Sequence, residues 1–219
     1  MIRSQIVGLL KASHFGPTML VVSIVFLLSL TQFSIIDSLF IALAFLFGQF
    51  VVGWTNDLKD LPNDKAAMRM NKPLVAGTIT EATLKISIGL ALATALIVSL
   101  VSPLGVSGTA IHFLGLLSAT AYNLKLKATV FSVVPYIVSF ASLPWAIYVA
   151  AEASPPTWIV LGFILFASAF HFLNVLKDMD VDRDQEVMGL PQVLGRQKSI
   201  AMAILLAGLG IVNVVLAII

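Results

Sequence analysis

Long apolar stretches alternate with short polar segments along this chain, and that alternation predicts its secondary structure. Seven stretches with few charges cover residues 17–33, 35–55, 82–101, 105–122, 130–151, 157–175 and 199–219. About 20 apolar residues in a helix cross the hydrocarbon core of a bilayer, where every backbone polar group must be paired within its own segment. The pattern therefore predicts an all-α membrane protein, a polytopic transmembrane helix bundle of about seven spans.

The segment before the first span has a different character. Arg3 ahead of an apolar run resembles the start of a signal peptide, but no clear cleavage site follows it and the Lys11 to Pro17 stretch interrupts the run. We therefore expect a short amphipathic lead into the first span.

Composition agrees with a membrane protein and excludes several classes of site. The chain is 59% hydrophobic and 11% charged, and its mean hydropathy is +1.01, outside the range of soluble domains. It has no cysteine, which rules out disulfides, thiol catalysis and cysteine-type zinc sites. Its basic residues are not grouped on a separable soluble domain, so the expected partner is membrane lipid and not nucleic acid.

The basic residues fall on one side of the bilayer when seven spans are threaded alternately. They lie in segments 3–11, 59–85, 125–127 and 177–198, whereas the opposite side keeps Asp37 and Glu152. Lys and Arg are enriched in the cytoplasmic segments of membrane proteins. We therefore expect an integral protein of the cell (inner) membrane with its N-terminus and its polar links in the cytoplasm.

Two of these cytoplasmic segments repeat each other. Residues 56–65 read NDLKDLPNDK and residues 174–183 read NVLKDMDVDR, each at the end of an apolar stretch. Aligned without gaps, they share the pairs Asn56/Asn174, Leu58/Leu176, Lys59/Lys177, Asp60/Asp178 and Asp64/Asp182. Four spans separate the copies, so both enter the membrane in the same orientation, which predicts a parallel repeat. We expect a single domain, 1–219, with halves of about 1–128 and 129–219, the second incomplete.

The repeated pattern is N-x3-D-x3-D, and its side chains are candidates for a metal site. Residues four apart share one face of a helix. In the first copy, Pro62 predicts a broken helix, so that Asp64 would be presented by the loop beyond the helix end. Oxygen ligands without His or Cys suit Mg²⁺. The predicted metal ligands are Asn56, Asp60, Asp64, Asn174, Asp178 and Asp182.

Basic residues surround these carboxylates in the sequence. They include Lys59, Lys65, Arg69, Lys72, Lys125, Lys127, Lys177 and Arg183. Metal ions together with basic side chains are typical of a site that binds a diphosphate. A solvated loop of mixed charge is the plainer alternative, but such loops do not repeat one Asn and two Asp residues in register on matching helices.

The two clusters resemble the motifs of the UbiA superfamily of intramembrane prenyltransferases, of the 4-hydroxybenzoate polyprenyltransferase-like kind. NDLKDLPNDK is similar to its first motif, N-D-x-x-D-x-x-x-D, and NVLKDMDVDR is similar to its second. NKPL at 71–74 with Gly77 resembles the R-P-L-x-x-G that follows the first motif, with Lys72 in place of the usual Arg. AYNLKLK at 121–127 and GLPQVLG at 189–195 resemble two further elements, although the second lacks the usual Thr.

The resemblance implies transfer of a polyisoprenyl group from a prenyl diphosphate to a hydrophobic or aromatic acceptor, such as a quinone precursor. It implies that Mg²⁺ assists ionisation of the diphosphate, with Asp60 and Asp178 as catalytic residues. The residues implied to bind the diphosphate are Lys65, Arg69, Lys72, Tyr122, Lys127, Lys177 and Arg183. Family members commonly have about nine spans, so the chain is expected to be either a fragment or a short variant without the last two helices.

Two other functions fit parts of the pattern. Repeats and carboxylates inside a membrane also mark secondary transporters, but transporter carboxylates sit near the bilayer midplane, whereas these lie at helix ends among Lys and Arg. A catalytically silent membrane fragment is the other alternative.

The roles of two further residues stay open. His171, three positions before Asn174, is more typical of a buried, hydrogen-bonded histidine than of an acceptor-side base. Asp57 has no acidic counterpart at Val175, so the repeat does not support it as a metal ligand, and its role as a ligand or a hydrogen-bond partner stays open.

The alternating thread predicts that all 13 Lys and Arg residues lie on the cytoplasmic side or at its interface. Reporter fusions after Gly105 and after Ser154 should both report the external side. A cytoplasmic signal from either fusion would contradict the seven-span thread.

Overall fold

A computed structural model of the chain describes residues 2–177, 179 and 187–219. These residues form helices and the links between them, and no strand occurs among them. The predicted all-α fold is thereby confirmed. The chain divides into two compact units, Met1–Thr109 and Ala110–Ile219. The predicted repeat halves, 1–128 and 129–219, stay a prediction.

The first unit is organised around one long helix. Its elements are α1 (Ile2–Ala12), α2 (Phe15–Ser29), α3 (Ile35–Ala66), α4 (Glu81–Val101) and the start of α5 (Gly105–Leu124). Helix α3 packs against both α2 and α4. Side-chain oxygens cap two of these helices, because Ser34 accepts a hydrogen bond from the backbone N–H of Asp37 and Thr80 accepts one from Thr83.

A sharp elbow joins α1 to α2, and α3 holds it in place. The chain bends by 69° between the two helices, and His14 at the bend has a left-handed φ of 53°. The Trp54 indole on α3 donates a hydrogen bond of 2.8 Å to the carbonyl oxygen of Leu9. A Cβ at Gly53 would lie 2.5 Å from the carbonyl oxygen of Ser13, so the elbow backbone rests directly on α3. Residues 2–12 thus form a helix ahead of the elbow, and their predicted role as an amphipathic lead stays a prediction.

The second unit pairs its helices through small residues and polar contacts. It contains the rest of α5, a 3-10 turn (Leu126–Ala128), α6 (Val134–Ala150), α7 (Thr157–Leu176), α8 (Leu190–Leu194) and α9 (Arg196–Ile218). Helix α7 packs against α6 and α9. Asn213 on α9 donates a hydrogen bond of 2.7 Å to the carbonyl oxygen of Trp158, and a Cβ at Gly210 would meet the Phe166 ring at 2.9 Å. Close approach at small residues and interhelical hydrogen bonds are usual for helix packing in membranes.

Four described helices are long and apolar enough to cross a bilayer, namely α3, α4, α7 and α9. The bent pair α1 and α2 makes a fifth if it is counted as one span. Helix α6 is also apolar but has 17 residues. Each of the seven apolar stretches is therefore largely helical, whereas the count of seven spans stays a prediction.

The close contact at Gly53 generates a stability prediction. Gly53→Ala should lower the free energy of unfolding by about 1–3 kcal/mol, because its methyl group must displace the backbone of the elbow. Thermal unfolding in detergent measures the change.

Gly89→Ala on α4 is the matched control, since no described atom lies within 4 Å of a Cβ there. It should leave stability unchanged or raise it by up to about 1 kcal/mol, because Ala favours helix over Gly. Equal unfolding midpoints for the two variants would contradict the packing described for the elbow.

Candidate active site

The polar end of α3 carries the first predicted cluster. The helix continues through Pro62 to Ala66, so the expectation that Pro62 ends it and leaves Asp64 on a loop is wrong. Proline removes one N–H donor and its ring crowds the carbonyl of the preceding turn, but the helix resumes on its far side. Asn56, Asp60 and Asp64 therefore lie on a single helix, at a four-residue spacing that keeps them on one face.

Asp64 brings two predicted diphosphate-binding residues to this face. The carboxylate is buried, with 4% of its surface exposed. Arg69 Nη1 lies 3.2 Å from its Oδ1, and Lys72 Nζ lies 4.0 Å from its Oδ2. The chain can return because it turns directly after α3, where Met68 has a φ of 47° and the Arg69 N–H bonds the Asp64 carbonyl oxygen. The link after α3, residues 67–80, thus places cationic side chains against the cluster.

Asp57 is a second buried carboxylate, and its contacts were not predicted. Its exposed fraction is 3%. Its Oδ1 lies 2.5 Å from Lys72 Nζ and 3.0 Å from His14 Nε2, so one oxygen contacts the link after α3 and the elbow before α2. Its position next to Asn56 in a mostly apolar helix signals that it needs a cationic partner, but spacing alone does not identify which one.

Lys65 lies away from this pair of carboxylates. Its Nζ is 3.7 Å from Glu81 at the start of α4, and its side chain is mostly exposed. Its predicted part in diphosphate binding stays a prediction.

The oxygen donors on α3 fit a hard cation in their chemistry. Asn56, Asp60 and Asp64 supply one amide and two carboxylates with no nitrogen or sulfur ligand, which suits Mg²⁺ shared with a phosphate. Within the described part of the chain, no three His, Asp or Glu side chains are grouped closely enough to hold a metal by themselves. The predicted partners Asp178, Asp182 and Arg183 lie outside the described residues, so the predicted proximity of the two clusters stays a prediction.

In the second unit, Asn174 lies in an aromatic cluster near the end of α7. Its side chain and that of Tyr122 both hydrogen-bond to Tyr136 on α6. The Tyr122 and Tyr136 rings meet edge to face with their centroids 5.1 Å apart. Tyr122 is thus joined to Asn174 through Tyr136, a residue that the sequence did not single out.

His171 is fully buried beside this cluster. Its Nε2 lies 3.1 Å from Ser132 Oγ, which also accepts a hydrogen bond of 3.0 Å from the backbone N–H of Leu190. Its ring centroid is 4.7 Å from that of Tyr136. Among the described residues no partner lies within hydrogen-bond distance of Nδ1. His171 therefore joins α6, α7 and α8, as a buried, hydrogen-bonded histidine does.

The other predicted residues of this unit lie on its links. Lys127 is half-buried in the 3-10 turn, and a Cβ at Gly189 would lie 2.6 Å from its carbonyl oxygen. Only glycine allows the segment before α8 to approach so closely. Lys177 follows α7 and is exposed.

Comparison with known proteins agrees with this architecture. The model of the UbiA prenyltransferase family matches residues 16–219. A search of curated proteins found no match.

Solved structures give the fold. A UbiA homolog from Archaeoglobus fulgidus bound to DMAPP and Mg²⁺ has 15% identity and a TM-score of 0.78, over 94% of this chain and 75% of that chain. An apo UbiA homolog from Aeropyrum pernix K1 has 21% identity and a TM-score of 0.70, over 97% and 78%. Digeranylgeranylglyceryl phosphate synthase in membranes has 17% identity and a TM-score of 0.71, over 95% and 76%. This chain is thus similar in fold to about three quarters of each.

The contacts of Ser132 generate a prediction for the second unit. Ser132→Ala leaves the Leu190 N–H and the buried His171 Nε2 without their partner, so the free energy of unfolding should fall by about 1–3 kcal/mol. Ser168→Ala is the control, because within the described part of the chain the buried Ser168 hydroxyl donates only to the carbonyl oxygen of Ile164 in its own helix. Thermal unfolding should separate the two variants, and equal midpoints would contradict a joining role for Ser132.

Proposed function

This chain belongs to the UbiA prenyltransferase family, and we propose that it transfers a polyisoprenyl group from a prenyl diphosphate to a hydrophobic acceptor in the membrane. The observation that carries the proposal is the polar end of α3, where Asn56, Asp60 and Asp64 share one helix face and the cations of Arg69 and Lys72 lie against Asp64. The binding of DMAPP and Mg²⁺ by the homolog from Archaeoglobus fulgidus supports the same substrate class.

The proposed site binds the diphosphate through opposite charges. Asn56, Asp60 and Asp64, with Asn174, Asp178 and Asp182 of the second motif, are the proposed Mg²⁺ ligands. Bound Mg²⁺ supplies positive charge to the diphosphate oxygens. Arg69 and Lys72 supply further positive charge from the link after α3, and Tyr122, Lys127, Lys177 and Arg183 are the proposed contacts from the second motif and its links. Without these charges the anionic substrate would be repelled by the carboxylates.

The proposed reaction is substitution at an allylic carbon. The C–O bond to the diphosphate breaks and its electron pair leaves with the diphosphate, which Arg69 and Lys72 stabilise as negative charge develops. The allylic cation is then captured by an electron pair of the acceptor. With an aromatic ring, the proposed acceptor, a C–C bond forms and the ring carbon loses its proton. The apolar helix surfaces exclude water, which would otherwise capture the cation.

We place the diphosphate site on the cytoplasmic side of the cell membrane. The positive charges of segments 59–85 and 177–198 support this placement, because Lys and Arg are enriched on the cytoplasmic side. Asp37 and Glu152 lie on the opposite side when seven spans alternate across the membrane. A prenyl chain then extends from the site into the apolar interior.

Asp60→Asn and Asp178→Asn should each lower turnover of a prenyl diphosphate at least about a hundredfold, because each removes a proposed Mg²⁺ ligand. Membrane insertion and expression should stay nearly unchanged. The measurement is Mg²⁺-dependent release of diphosphate by purified protein supplied with an aromatic acceptor.

Asp37→Asn and Glu152→Gln are the controls, and both should keep turnover close to that of the unmodified protein. Equal activity in all four variants would remove the metal site from the proposal. Cation flux through liposomes containing the protein, with no binding of prenyl diphosphate, would favour a secondary transporter instead.

A further inference from the structure

We infer that Asp57 is a positioning residue, which holds Lys72 ready for the diphosphate and is itself held from the N-terminal side by His14. This inference rests on the proposed function, which gives Lys72 its ligand. It assigns a role to a carboxylate that lies outside the predicted set of Mg²⁺ ligands, and to a residue, His14, that precedes the part of the chain matched by the family model.

Lys72 is held more closely by Asp57 than by the cluster. Its Nζ is 2.5 Å from Asp57 Oδ1 but 4.0 Å from Asp64 Oδ2, and 20% of its side chain is exposed. An ammonium group has three donors and no acceptor. One donor is therefore taken up by Asp57, while the partial exposure leaves room for an anionic ligand on the remaining surface.

The contacts of Asp57 make it unsuited to bind the metal. It follows Asn56 by one residue, so it points about 100° around the helix from the face of Asn56, Asp60 and Asp64. Its Oδ1 already contacts two cationic or donor groups, and its side chain is almost wholly buried. A carboxylate in this setting fixes its partners and leaves metal binding to its neighbours.

His14 links this pair to the N-terminal elbow. Its Nε2 lies 3.0 Å from the same Oδ1, and its φ of 53° is one that residues other than glycine rarely adopt. The elbow is also fixed by the Trp54 hydrogen bond to Leu9 and by the approach of Ser13 to Gly53. Residues of the N-terminal segment thus help to set the position of a side chain in the site.

Pre-positioning would favour binding because a free lysine loses rotamer freedom when it contacts a ligand. An ion pair that already orders Lys72 removes this loss from the binding step. The direction in which diphosphate binding changes when Asp57 is removed distinguishes positioning from simple repulsion. If Asp57 only added negative charge near the site, its removal would strengthen diphosphate binding, whereas loss of positioning weakens it.

Asp57→Asn should raise KM for the prenyl diphosphate about tenfold, with a smaller change in kcat and no change in the Mg²⁺ concentration needed for half-maximal rate. Asp57→Glu, which keeps the charge, should recover part of the loss. In a Lys72→Met background, Asp57→Asn should have no further effect, because the residue through which it acts is gone. Asp37→Asn, the same change at the other end of α3, should leave KM unchanged.

A lower KM, a raised Mg²⁺ requirement or a full additional loss in the Lys72→Met background would each overturn the inference. The first would make Asp57 a source of repulsion, the second a metal ligand, and the third a residue that acts independently of Lys72. Thermal unfolding of the Asp57→Asn protein identifies a variant that fails to fold, and in that case Asp57→Glu carries the same comparison.

Chemical labelling tests the geometry without relying on activity. An amine-reactive reagent should modify Lys72 several-fold faster in the Asp57→Asn protein. Modification of Lys59, which is exposed and lies on α3 like Asp57, should be unchanged. Equal labelling of Lys72 in both proteins would overturn the positioning role. If the unmodified protein neither binds nor turns over a prenyl diphosphate, the proposed function fails, whatever the labelling shows about Asp57.

Discussion

Two carboxylates of α3, Asp57 and Asp64, are buried at the polar end of a long membrane helix, and a buried charge is stable only beside an opposite charge. Much of the first unit follows from this requirement. The link after α3 folds back to bring Arg69 and Lys72 to them, and the elbow between α1 and α2 places His14 on Asp57. Asp57 and Asp64 thus have cationic or donor partners before any ligand is bound.

The second unit satisfies its buried polar groups with neutral partners. Ser132 hydrogen-bonds to both His171 and the backbone N–H of Leu190. Tyr136 hydrogen-bonds to both Asn174 and Tyr122. Since apolar surroundings make an unpaired polar group costly, such networks specify how the helices meet. Here they orient the end of α7 that carries Asn174, while the ion pairs of the first unit hold the cations proposed for the diphosphate.

Two features of the first cluster depend on packing and could not be predicted from single residues. Pro62 predicts a helix end, yet α3 continues past it, because losing one N–H donor does not prevent the next turns from forming on a helix that is packed on both α2 and α4. Lys65 immediately follows Asp64 in sequence but lies beside Glu81, whereas Arg69 and Lys72 reach the carboxylates. Distance along the chain was a poor guide to which cation serves the cluster.

Hydropathy, charge and the repeated N-x3-D-x3-D pattern were enough to predict an all-α membrane protein, its family resemblance and the helix whose end carries Asn56 and Asp60. These features are local, since a helix forms from its own residues and its apolar length decides whether it suits a bilayer. The partners of Asp57 could not be predicted in this way, because His14 and Lys72 come from segments on either side of α3 in sequence. Only the folded path of the elbow and of the link decided which cation reached which carboxylate.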